Sequence, residues 1–123
     1  MNRLPDAVLV ALGGAVGAGA RYSVGLVALR AGPGLPVGTW AVNALGCVGI
    51  GIALALAPGE RVRLAVVVGV LGGFTTFSAY SAETVALWTA GRPGWAAANA
   101  VGSVVVGVAA VALGMIIGRA VAA

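Results

Sequence analysis

The 123-residue chain contains no histidine, no lysine and a single cysteine, Cys47. Carboxylates are nearly as scarce, with Asp6, Glu60 and Glu83 the complete set. These absences exclude a histidine-containing zinc site, a Cys/His nucleophile pair and a Ser-His-Asp triad. Three carboxylates offer no acid–base pair, so the chain is not read as an enzyme. Cys47 has no partner for an internal disulfide, which leaves cysteine usage silent about redox compartment. Charge is deficient overall: charged residues make up 8%, against roughly 25% in soluble proteins. So few charges cannot clothe a soluble surface.

What the chain does have is apolar side chains, 61% of the total, and 21 glycines. Mean hydropathy is +1.10. Glycine follows no Gly-X-Y period, which excludes collagen, and the apolar content excludes disorder. The remaining class is a small all-α integral membrane protein whose helices approach one another through glycine. A net charge of +4 would suggest a nucleic-acid partner in a soluble protein. Here the arginines flank apolar runs, so they read as membrane-orienting charges and no nucleic acid is expected.

Four apolar stretches, approximately 7–29, 37–57, 64–90 and 95–118, are separated by short Pro/Gly/Arg segments. Each is long enough to cross a hydrocarbon core of ~30 Å. Backbone groups in lipid must be satisfied within the segment, which makes the four stretches helices. The connections leave no room for a soluble domain, so residues 1–123 form one four-helix unit. Arg3 followed by an apolar run and Ala18-Gly19-Ala20 mimics a signal peptide. Asp6 and the continuing apolarity favour a retained span instead. Trp40, Trp88 and Trp95 lie near span ends, where an aromatic belt is expected.

With both termini on one side, that side carries Arg3, Arg61, Arg63 and Arg119, and the other carries Arg30 and Arg92. This is a weak bias toward cytoplasmic termini and is compatible with insertion in both orientations. No internal repeat is evident. A water-lined path would form most easily between subunits, and oppositely oriented copies would reproduce an inverted repeat in trans.

The third stretch holds the most informative residues, Gly69 to Thr84. Gly72-Gly73 followed by Thr75-Thr76, in mid-span, is poor helix material. One reading is a packing seam through Gly69 and Gly73, since small residues four apart are frequent in membrane helices. The other is a broken helix whose released carbonyls serve as ligands, tolerated only where buried in protein or occupied by water or an ion. Beyond this point Phe77, Tyr80, Ser81 and Thr84 project to one side. Aromatic ring edges are partially positive and can attract a small anion without trapping it.

Other polar residues also lie deep in apolar sequence. Glu83 is a candidate vestibule residue. Arg21 is read as structural, either snorkelling or bonding to carbonyls of a neighbouring helix. Asn43 can donate an amide proton to an anion, and Asn99 and Ser103 share a face of the last helix. Each alone is an ordinary interhelical hydrogen bond, worth ~0.6 kcal/mol on average. On three helices together they suggest a polar track.

Three elements, Gly14-Ala15-Val16-Gly17-Ala18-Gly19-Ala20-Arg21-Tyr22, Gly38-Thr39 through Val42-Asn43 to Gly46-Cys47, and Gly72-Gly73-Phe74-Thr75-Thr76-Phe77-Ser78, resemble the Fluc (CrcB) fluoride channels. The resemblance runs in order through all four spans. It implies an antiparallel, dual-topology dimer in the cell membrane, with two fluoride pores and a central structural sodium ion that is not transported. By motif position it assigns the sodium ligands to the backbone carbonyls of Gly72 and Thr75 from both subunits. The fluoride pathway would comprise Asn43, Phe77, Ser78, Tyr80, Asn99 and Ser103, with Glu83 near one end.

The chain departs from the family pattern at Tyr80, where a second phenylalanine is usual, at Ala79 for threonine, and at Val48 for phenylalanine. Together with the arginine bias, these changes keep a fixed-orientation heterodimer with a homologue in view, although a homodimer is favoured. The rival readings are a small multidrug-resistance-type proton-coupled exporter and a non-transporting membrane assembly subunit. The exporter reading calls for a glutamate in the first helix, where this chain has Arg21.

Overall fold

The computed structural model describes residues 3–32 and 34–123. Four helical stretches are long and apolar enough to span a membrane: Leu4–Arg30, Val37–Leu56, Glu60–Thr89 and Pro93–Ala122. The first is α1, which has a proline at its start, Asp6 in its first turn and Arg30 in its last. Both charges complement the helix dipole. The second, α2, ends where Ala57 takes a left-handed conformation with φ 44°, just before Pro58. Proline also begins the last helix, Pro93–Ala122, named α5 below.

The third span is two helices. Its first half, α3, starts at Glu60–Val62, widens into a π-helix over Arg63–Leu71 and returns to α geometry at Gly72–Phe74. Thr75 and Thr76 are extended, with ψ of 155° and 122°. The second half, α4, runs Phe77–Thr89. Of the four residues that disfavour helix here, the break thus falls at the threonines, and Gly72-Gly73 remain helical. The physical reason is packing. A Cβ on Gly73 would meet the Gly14 carbonyl of α1, and one on Gly69 would meet Gly13. The two readings of this stretch are therefore both realised, on adjacent residues: glycines make the seam and threonines make the break.

The interior inverts the pattern of a soluble protein. Its buried positions include Gly13, Gly17, Gly46, Gly51, Gly69, Gly114 and Gly118, with Val42, Leu87, Ala96 and Ala110. Larger apolar side chains such as Leu12, Val16, Val108 and Ile116 point outward, as lipid allows. Two glycine-lined pairs result. In the first, α1 lies on α3, and a Cβ at Gly13 or Gly17 would collide with the carbonyl of Ala65 or Val70. In the second, α2 lies on α5, and a Cβ at Gly51 or Gly114 would collide with the carbonyl of Val111 or Val48. After the break, α4 packs on α5. The third span changes partner at its break.

Polar contacts mark the two ends of the bundle. Arg3 lies 3.6 Å from Asp6 and 3.9 Å from Glu60, linking the starts of α1 and α3. At the opposite end, Arg92 donates to the Gly34 carbonyl at 2.6 Å. That bond ties the α4–α5 connection to the α1–α2 connection.

Candidate functional site

The break is held open by side chains that replace helical hydrogen bonds. Asn43 on α2 makes a two-point contact with Thr76: its amide donates to the Thr76 carbonyl at 3.0 Å, and its oxygen accepts from the Thr76 N–H at 2.8 Å. Thr76 in turn caps α4, its hydroxyl accepting from the Ala79 N–H at 3.2 Å. In an unbroken helix those two N–H groups would bond the carbonyls of Gly72 and Thr75, four residues earlier. Both carbonyls are thereby released, and they are the two oxygens that the family resemblance assigns to a cation. Gly46, one turn after Asn43, leaves room for the Thr75 methyl group, which a Cβ there would strike. The Asn43-x-x-Gly46 spacing thus serves the break twice. The neighbouring Gly73 carbonyl is also engaged, accepting from Arg21 Nε at 3.2 Å.

Two clefts flank the break. The first, about 640 Å³, is lined by Asn43, Thr75, Phe77, Tyr80 and Ser103, with Trp40 and Trp95 among its further walls. The rings of Phe77 and Tyr80 lie 5.4 Å apart. Phe77 is 78% exposed, so its ring projects from the subunit. Tyr80 turns its hydroxyl inward and donates to the Ala100 carbonyl at 2.7 Å. The second cleft, about 510 Å³, is lined by Arg21, Thr39, Thr76, Ala79 and Glu83 among others. There Thr39 donates its hydroxyl proton to Glu83 Oε1 at 2.7 Å, while Oε2 is buried without a hydrogen-bond partner.

The structure brings Asn43, Phe77, Tyr80 and Ser103 to the first cleft and places Glu83 and Arg21 at the second. Ser78 lines neither; its hydroxyl lies 3.2 Å from that of Thr76. Asn99 sits behind the first cleft, 1% exposed. Its oxygen accepts from Trp40 at 2.6 Å and from Ser103 at 3.1 Å, and its amide donates to Thr84 at 2.8 Å.

Sequence reasoning missed three of these participants. From sequence Thr39 stands out only as part of a motif, Thr76 only as a residue that disfavours helix, and Trp40 as a member of the interfacial belt. Trp40, in the first turn of α2, is also half-buried and stacked on Trp95, ring centroids 6.4 Å apart. A signal was present: Trp40 precedes Asn43 by three residues and so shares its helix face.

A multi-pass membrane protein of four spans, with its third span opened beside a polar residue of its second, is the class these features define. The chain belongs to the family described as CrcB-like protein, Camphor Resistance (CrcB), which it matches over residues 8–115. Among its relatives is a protein of Paracoccus denitrificans named fluoride-specific ion channel FluC. The two are 45% identical over 113 residues, covering 89% of this chain and 91% of the relative. Proteins with the same name from Chloroflexus aurantiacus and Allorhizobium ampelinum are 47% and 43% identical. They cover 89% and 94% of this chain, and 92% and 98% of their own lengths.

Proposed function

We propose that this chain is the subunit of a fluoride-specific channel in the cell membrane, passively exporting fluoride and lowering its cytoplasmic concentration. The observation that carries this reading is identity of 43–47% across about nine-tenths of the chain with relatives named for that activity. The first cleft supplies suitable chemistry. An amide, a hydroxyl and two aromatic rings surround it without a formal cation, so an anion can exchange its hydration shell for several weak contacts and still leave.

The working unit is an antiparallel dimer, with a homodimer favoured over a pairing with a homologue. The outward projection of Phe77 supports this assembly, because a second subunit would turn an open cleft into an enclosed path. A structural sodium ion fits the released carbonyls of Gly72 and Thr75, since hard cations take oxygen ligands. With the matching pair from a second subunit, these groups would hold the ion and join the two breaks.

Fluoride efflux from liposomes containing the purified protein tests the function. Rapid efflux in the presence of sodium, with chloride retained, is the expected result. Equal chloride permeation, or no fluoride flux, would overturn it. Crosslinking in native membranes, with and without a co-expressed homologue, distinguishes the two assemblies.

A further inference from the structure

Trp40 lies outside the residues assigned to the fluoride pathway, yet its indole makes one of the shortest polar contacts in the molecule. Nε1 donates to Asn99 Oδ1 at 2.6 Å, below the ~2.9–3.0 Å usual for N–H···O. The same oxygen accepts from Ser103 Oγ at 3.1 Å, beyond the ~2.7–2.8 Å usual for O–H···O. Asn99 thus holds the indole proton closely and the serine proton loosely.

The orientation of the Asn99 amide is determined from both ends. An indole nitrogen only donates, so the atom facing it must be the amide oxygen. On the far side, Nδ2 donates to Thr84 Oγ1 at 2.8 Å, whose own proton goes to the Tyr80 carbonyl at 2.7 Å. The amide cannot turn to present an N–H to Ser103. Asn99 is buried, whereas Ser103 lines the first cleft. The one adjustable element of the network is the Ser103 hydroxyl, which can rotate.

We propose that Trp40 is a positioning residue for the fluoride pathway: by occupying the Asn99 oxygen, its indole N–H leaves the Ser103 hydroxyl free to turn its proton toward an anion in the cleft. This rests on the first cleft being the fluoride path. Without the indole N–H, Ser103 becomes the remaining close donor to that oxygen, its hydrogen bond shortens, and its proton is withheld from the anion.

The test compares fluoride efflux from liposomes for the wild-type protein, a protein carrying benzothienylalanine at position 40, Ser103→Ala, and the combination. Benzothienylalanine keeps the bicyclic shape and replaces the N–H with sulfur, so packing is preserved; size-exclusion elution confirms assembly. Loss of one such hydrogen bond is expected to slow fluoride flux roughly three- to tenfold. The combination should be no slower than Ser103→Ala alone, because Trp40 acts through Ser103. Unchanged or faster flux in the protein lacking the indole N–H would overturn the proposal, as would additive slowing in the combination. A wild-type protein that passes no fluoride would sink the channel reading itself, a different outcome from an active channel indifferent to the indole N–H.

Discussion

The two halves of the third span are held by different physics. Before the break, α3 lies against α1 with backbone close to backbone, and the contact depends on glycine having no side chain. After the break, α4 is held largely by side-chain hydrogen bonds: Thr76 capping its start, Tyr80 reaching Ala100, Glu83 accepting from Thr39 and Thr84 accepting from Asn99. Close backbone packing leaves no space for an ion or water, whereas hydroxyls and amides at a cleft can exchange partners. One span thus combines a dry structural half with a polar half, and the extended threonines separate them.

Substitutions can break that contrast. The largest effect is expected at the boundary itself, in Asn43→Leu. This change removes both contacts to Thr76 and leaves two backbone groups unsatisfied, at roughly 1–3 kcal/mol each. Fluoride efflux should fall to background, with reduced thermal stability in detergent. Full flux would show that Asn43 does not maintain the break.

A smaller loss, about 1–3 kcal/mol from overpacking, is expected for Gly17→Ala, whose Cβ would strike the Val70 carbonyl. Gly102→Ala on α5 is the control, because among the described residues no atom outside the helix's own nearby backbone lies within 4 Å of its Cβ position. It should leave stability unchanged or slightly raised, given the helix preference for alanine. Equilibrium unfolding in detergent micelles separates the two, and equal effects would refute the glycine seam. The smallest effect is expected for Thr39→Val in the polar half. It removes one interhelical bond, worth ~0.6 kcal/mol on average in membranes, and should lower the melting midpoint only slightly in the same assay.

Much of this architecture was legible in the chain because lipid imposes simple demands. Apolar length reports the spans, and Gly72 to Thr76 announces trouble for a helix. The exact place of the opening was not legible, because glycine and β-branched residues both disfavour helix, and only packing against Gly14 decides between them. The π-helical turns of Arg63–Leu71 left no trace in an almost uniformly apolar segment. The polar track was visible as Asn43, Asn99 and Ser103, but their division of labour was not. Whether an amide faces a cleft or closes a hydrogen-bond network depends on partners such as Trp40 and Thr84, which lie 59 and 15 residues from Asn99.

The capping of the Thr76 and Ala79 N–H groups has a consequence for ion binding. The protein's own side chains hold this stretch of helix open. At the proposed sodium site, a cation arriving at Gly72 and Thr75 would therefore meet carbonyls already free of helical hydrogen bonds, and no helix would have to unwind to receive it. What such an ion would have to give up is its water, so its exchange would be governed by dehydration and access rather than by refolding of the span.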